Sequence, residues 1–176
     1  MTWMGYYFLP DALESLKNDE AESEKHRAEN SARESEAQQD VGRGAALSGD
    51  LESILALSPT EFEYTVAAIL RMLGMTGIQR VGGRGHLGVD IIARDVSGRT
   101  ILVQCTKRAK TKKIGSPEIR KFIGTAHMHH QTDLKMFITT SEYTVHAQAL
   151  ADQHDIQLIS GSDIEDLARK QRGPTS

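Results

Sequence analysis

The chain has 176 residues, a net charge of −3, 39% hydrophobic residues and one cysteine. That length holds one ordinary domain plus an extension, and that apolar fraction supplies a core. A lone cysteine excludes an intramolecular disulfide framework and a cysteine-rich zinc site and fits a reducing cytoplasm, while no uncharged apolar run nears the roughly 18 residues of a membrane span.

The opening stretch MTWMGYYFLP is apolar but short, and no basic residue precedes it as a secretory signal requires. It carries four of the nine aromatics, Trp3, Tyr6, Tyr7 and Phe8. Two readings stand for it: a disordered tail, or an anchor that docks on a partner or on the domain. Residues 11–43 follow with ten acids against five bases, a charge of −5, leaving +2 for residues 44–176. Rich in Glu, Ala and Ser and without a heptad of large apolar residues, this segment reads as a solvated, partly helical linker. The expected division is therefore residues 1–50 as extension and linker, 51–170 as the globular domain, and 171–176 as a flexible tail.

SPTEFEYTVAAILRMLG predicts a helix with Ser58 as N-cap, Pro59 at its first position and Glu61 closing a capping box. Phe62, Val66, Ile69, Leu70 and Leu73 recur on one face, and Gly74 can end it. GIQRV, GVDIIAR and TILVQC read as strands, the latter two joined by the turn signal DVSGR. GSPEIRKFIGTAHMHH predicts a helix from Ser116-Pro117 that buries Ile119, Phe122, Ile123 and Ala126. LKMFITT and IQLIS read as buried strands separated by the helical TVHAQALADQH. A last helix is expected from Ser162, with Glu165 completing a second capping box. This order predicts an α/β domain whose mixed sheet first meanders and then crosses over through helices.

Several motifs dissolve on inspection. Gly83-Arg84-Gly85-His86-Leu87-Gly88 matches the dinucleotide fingerprint, yet it runs into a strand and has no helix N-terminus to offer a pyrophosphate. It reads instead as a flexible loop leading to Asp90. His127, His129 and His130 lack a Cys, Asp or Glu to complete a zinc set and read as a wet helix end. No G-x-S-x-G elbow accompanies the histidines, which removes a serine nucleophile.

Asp90 and Gln104 are harder to set aside. A strand-end Asp is commonly a turn or cap residue, but Gln104 interrupts an apolar run where a buried amide needs partners. If their strands form a hairpin about DVSGR, both side chains reach one edge of the sheet. A carboxylate and an amide oxygen there suit Mg²⁺ or Mn²⁺. Alternation puts Gln104 and Thr106 on one face and turns Cys105 to the core, so Lys107 faces away unless a bulge intervenes. Residues 107–121 then hold seven bases (Lys107, Arg108, Lys110, Lys112, Lys113, Arg120 and Lys121) against Glu118 alone. A run of charge is usually a solvated loop. This one leaves the strand of the metal candidate, where a phosphate backbone would lie, and so points to DNA. The acidic linker would compete for the same patch.

From about Leu57 to Leu167 the chain resembles the Mrr-type restriction endonuclease domain, a branch of the PD-(D/E)xK nuclease superfamily. The resemblance is carried by LSPTEFEYTVAAILRMLG, GVDII, VQC, GSPEIRKFIGT, FITTSEYT and IQLISG in that order and spacing. It implies a restriction-endonuclease-like αβββαβ core, dependence on Mg²⁺ or Mn²⁺ and cleavage of DNA, often modified DNA. By position, Glu63 matches the family's first-helix glutamate, expected to assist through the metal or its waters, Asp90 its metal-binding aspartate and Gln104 its strand glutamine. Lys107 stands where the family has a second basic residue; Lys107 bulged inward, or Arg108 on the face of Gln104, would have to replace the family's lysine. The family pattern places that lysine two residues after the glutamine, where this chain has Thr106. His86 likewise stands where relatives often carry a small or acidic residue. The expectation is a cytoplasmic, metal-dependent DNA endonuclease of restriction type that cuts more slowly than lysine-bearing relatives. The alternative is a DNA-binding module impaired in catalysis by Thr106. Lys107, Arg108, Lys110, Lys112 and Lys113 are the expected DNA contacts, and a homo-oligomer is compatible with either reading.

Overall fold

A computed structural model of the chain describes residues 24–25, 27–36, 39, 43, 50–81, 88–128 and 132–171. Two compact units divide it, Met1–Ala37 and Gln38–Ser176. In the first, residues 27–36 are helical and almost wholly exposed. The expectations for Trp3, Tyr6, Tyr7 and Phe8 fall outside the described residues, as does the tail beyond 171.

The second unit opens with a short helix, α1 (Leu51–Ala56), that the sequence pattern did not single out. Asp50 caps it by accepting from the backbone N–H groups of Glu52 and Ser53, and Leu51 and Ile54 are buried. Helix α2 (Pro59–Met72) carries the expected capping box, with Ser58 and Glu61 each satisfying the other's backbone N–H. Gly74, at φ +84°, ends it in the left-handed region that glycine adopts freely.

The strands are β1 (Thr76–Arg80), β2 (Ile91–Arg94), β3 (Thr100–Thr106), β4 (Leu134–Thr139) and β5 (Ile156–Ile159). Helices α3 (Ser116–Met128) and α4 (Val145–Gln153) flank β4, and α5 (Gly161–Gln171) closes the chain. The sheet runs β1-β2-β3-β4-β5, antiparallel in the first two pairings and parallel in the last two. That is the mixed, helix-flanked sheet the element order implied. The β2–β3 hairpin is closed by Asp95, whose carboxylate accepts from the N–H groups of Ser97 and Arg99.

Period-two alternation sorts β3 between two cores. Ile101 and Val103 join Leu51, Phe62, Val66, Leu70 and Ile164 on the face covered by α1, α2 and α5. Leu102 joins Ile119, Phe122, Phe137, Tyr143 and Ala147 on the face covered by α3 and α4. Phe137 meets Phe122 and Tyr143 edge-on, at 5.7 and 6.2 Å between centroids.

The cap of α5 differs from expectation. The reciprocal pair is Ser160 with Asp163, not Ser162 with Glu165: the Asp163 N–H donates to Ser160 Oγ and the Ser160 N–H to Asp163 Oδ2. The segment contains both Ser-x-x-acid patterns, two residues apart. Packing selects the earlier one, because Gly161 lies so close to the residue after β4 that a Cβ there would stand 2.5 Å from the Thr140 carbonyl oxygen. Ser162 instead donates to Glu142.

Candidate active site

Asp90 sits one residue before β2, at the edge where three strands meet. Its N–H donates to the Val103 carbonyl, and its own carbonyl accepts from Val81. The carboxylate is thereby aimed along β3. Asp90 Oδ2 accepts from the Cys105 backbone N–H at 2.6 Å and from Gln104 Nε2 at 2.5 Å. The Gln104 amide nitrogen also reaches the Cys105 carbonyl at 3.3 Å. The two residues that interrupt the apolar pattern thus meet each other.

Burial pushes the Asp90 carboxyl up to about 6, and the Glu63 carboxylate adds to the shift. The Cys105 N–H, the Arg80 guanidinium and the Gln104 amide act against it. Cys105 packs against the α2-side core; burial, then the charges of Asp90 and Glu63, raise its thiol well above the ordinary value. It is no nucleophile at neutral pH.

Gly88 fits this edge for two reasons. Its φ is +84°, and a Cβ there would lie 3.1 Å from Thr125 Oγ1 and 3.4 Å from Gln104 Oε1. The absent side chain lets the backbone before Asp90 pass over the amide.

Glu63 projects from α2 and forms an ion pair that the sequence reading did not foresee. Arg80, the last residue of β1, donates from Nη2 at 2.6 Å and from Nε at 3.3 Å to the same oxygen, Glu63 Oε2. The guanidinium lies over the Tyr64 ring, 3.8 Å from its centroid. Glu63 and Arg80 stand 17 positions apart, too far for any local pattern to couple them.

The basic run is strapped down rather than loose. The Arg108 N–H donates to Thr140 Oγ1, which donates in turn to the Arg108 carbonyl, and Ser141 Oγ donates to the Lys112 carbonyl. Arg108 is paired with Glu118 at 2.7 Å and Lys110 with Glu52 at 2.8 Å. Lys112 and Lys113 are exposed. Lys107 lines a cleft with Glu52, Leu55 and Pro59. Thr106 ends β3, its carbonyl accepting from Thr139 Oγ1. Gln104 and Asp90 are therefore brought together, Glu63 is joined to their neighbourhood through Arg80, and Lys107 faces α1.

His86, His129 and His130 fall outside the described residues, and His127 is exposed in the last turn of α3. Among the described residues no three His, Cys, Asp or Glu side chains cluster as metal ligands. No described helix is long and apolar enough to cross a membrane.

A family described as restriction endonuclease matches residues 54–168. The chain is 34% identical over 132 residues to the type IV methyl-directed restriction enzyme EcoKMrr of Escherichia coli (strain K12). That match takes in 71% of this chain and 42% of the relative, so the chain spans less than half of that enzyme's length. Among solved structures, the DNA modification-dependent restriction endonuclease AspBHI superposes with a TM-score of 0.55 at 19% identity, over 74% of this chain and 36% of that one. A protein of unknown function, AF1548, does so with a TM-score of 0.51 at 16% identity, over 64% and 65%. These likenesses show a restriction-endonuclease-like fold.

Proposed function

Because the chain belongs to the Mrr-type restriction endonuclease family, we propose that residues 51–170 form a divalent-metal-dependent DNA endonuclease domain of restriction type. Asp90 and Gln104 are its metal ligands in this reading, with Mg²⁺ or Mn²⁺ as the ion. The observation that carries it is the placement of the Gln104 amide nitrogen, within hydrogen-bond reach of both Asp90 Oδ2 and the Cys105 carbonyl oxygen. Two oxygens converge there on a partly positive group, as they would on a cation. Turning the amide over exchanges nitrogen for oxygen; the donor set then becomes a carboxylate, an amide oxygen and a backbone carbonyl. Those hard oxygens fit Mg²⁺ or Mn²⁺. A carboxyl raised to about 6 by burial and a neighbouring acid also gains from a cation beside it.

A bound divalent ion polarises a phosphoryl oxygen and makes its water more acidic. The chain's own residues prepare for that chemistry. The Cys105 N–H fixes one Asp90 oxygen, and Gly88 leaves room beside the Gln104 amide. Thr106 offers a hydroxyl that orients water but brings no charge, which lowers the rate relative to a lysine by about 10²–10³. Lys107, Arg108, Lys110, Lys112 and Lys113 form the proposed phosphate-contacting surface, and Lys107 remains the proposed stand-in for the missing lysine. The substrate is proposed to be modified DNA, since one relative is described as methyl-directed and one as modification-dependent. A cytoplasmic location fits such a substrate.

The second reading, a DNA-binding module without hydrolysis, rests on Thr106 alone. Calorimetry with Mn²⁺ tests the metal centre. Wild type is expected to bind and Asp90→Ala to lose binding while melting as a folded domain; equal affinity in the two removes the assignment.

A further inference from the structure

The Glu63–Arg80 pair has a geometry beyond what ion pairing requires. Arg80 spends Nε and Nη2 on a single oxygen of Glu63. The Nη1 end of the fork meets no acceptor among the described residues. One face of the guanidinium is covered by Tyr64 at 3.8 Å, so its orientation is fixed twice, by carboxylate and by ring. Its side chain nevertheless keeps 23% of its surface open, against 18% for Glu63. A cation held from two sides, with a donor end that meets no acceptor among the described residues and a side chain still partly open, is prepared for a ligand with two oxygens.

Position completes the case. Arg80 precedes Val81, whose N–H is bonded to the Asp90 carbonyl, and its charge acts directly on the Asp90 carboxyl. Of the other cations assigned to DNA, Lys112 and Lys113 are exposed on the basic loop, and the remaining three are spoken for. Arg108 is held by Glu118, Lys110 by Glu52, and Lys107 lies in the cleft against α1. Arg80 therefore stands beside the Asp90–Gln104 edge.

We propose that Arg80 binds a DNA phosphate at this edge, with Glu63 and Tyr64 as the positioning residues that hold its guanidinium ready. The inference rests on the DNA reading above but not on cleavage. Lysine cannot reproduce it fully, because an ammonium carries the charge without the fork.

The test is the binding of a fluorescein-labelled DNA duplex to the full chain in EDTA across a salt series, for wild type, Arg80→Gln, Arg80→Lys and Arg71→Gln. Loss of one phosphate contact flattens the slope of log K against log salt by about 0.9. Arg80→Gln is expected to flatten it by that amount. Arg80→Lys should keep the slope and bind more weakly, and Arg71→Gln, at the far end of α2, should leave both unchanged. An unaltered slope in Arg80→Gln overturns the proposal, as does an equal fall in Arg71→Gln, which marks a diffuse charge effect. If Arg80→Gln does not fold, Arg80→Lys decides: binding equal to wild type overturns the role of the fork. Wild type that holds no duplex removes the proposal together with the DNA reading. Wild type that binds but never cuts removes the nuclease reading and leaves Arg80 standing on its slope.

Discussion

The Gln104 amide nitrogen lies 2.5 Å from Asp90 Oδ2, joining β3 to the residue that leads into β2, 14 positions earlier. The bond makes Gln104 the local partner of a carboxylate that would otherwise be buried with only a backbone N–H on the same oxygen. Gln104→Leu keeps the volume and removes the amide, so Mn²⁺ affinity should fall by about tenfold to a hundredfold. Gln104→Glu supplies a second carboxylate and should raise it. Calorimetry decides, and an affinity indifferent to both changes would place the metal elsewhere.

Asp90 also sets a pH dependence of stability. Its carboxyl ordinarily titrates at 3.8 and here at about 6. A carboxyl with a raised folded pKa binds its proton more tightly folded than unfolded. In EDTA its contribution therefore lowers stability as pH climbs through that window and levels off above it. Asp90→Asn removes this contribution. Its melting temperature relative to wild type should rise between about pH 4 and about pH 7; an offset that stays constant contradicts the raised carboxyl.

The basic loop gives a graded prediction. Lys112 and Lys113 are exposed, whereas Lys110 is already paired with Glu52. Replacing Lys112 and Lys113 together with Ala should reduce the salt slope of DNA binding by about two counterions. Lys110→Ala should cost less, because its ammonium is already committed to Glu52 and is less available to a phosphate. An unchanged slope in the double variant would make the run a solvated loop.

Much of this was readable in the chain because the signals are local. Ser58, Pro59 and Glu61 announce a helix start within four positions, DVSGR announces a hairpin, and the alternation in TILVQC places Gln104 opposite the core-facing Cys105. Asp90 and Gln104 could be paired in advance because one hairpin connects them. Arg80 could not, since its partner Glu63 lies on a helix across a turn and nothing in GIQRV distinguishes it from a solvated strand end. The same holds for Arg108 with Glu118. The basic run looked free because the Thr140 and Ser141 hydroxyls that hold it come from the segment just after β4, about 30 positions on. At α5, two overlapping Ser-x-x-acid patterns were equally good, and tertiary packing at Gly161 chose between them.

Tyr143 supports the end of the sheet from which that loop is held. Its buried hydroxyl lies 2.7 Å from the Phe137 carbonyl and 3.0 Å from that of Ile159, serving β4 and β5 at once. Tyr143→Phe should destabilise the domain by about 1–3 kcal/mol, the cost of buried acceptors left without a donor. A denaturation midpoint equal to wild type would show that water replaces the hydroxyl.

Thr106→Lys tests what the absent lysine costs. Gln104 and Thr106 alternate onto the same face of β3, so the change introduces an ammonium at that edge with the backbone in place. Cleavage should rise, by up to about 10²–10³. If Lys107 already does this work, Lys107→Ala abolishes cleavage and Thr106→Lys adds little; if neither change alters the rate, no lysine at this strand end contributes.

The central claim is that Asp90 anchors a metal-dependent DNA nuclease, and supercoiled plasmid tests it most directly. Purified wild type is incubated with methylated and unmethylated plasmid in Mg²⁺, Mn²⁺ or EDTA, beside Asp90→Ala. The account predicts nicked or linear product from wild type with a divalent ion, none in EDTA, and none from Asp90→Ala under any condition. Wild type that leaves both plasmids supercoiled in either metal, or Asp90→Ala that cuts as wild type does, contradicts it.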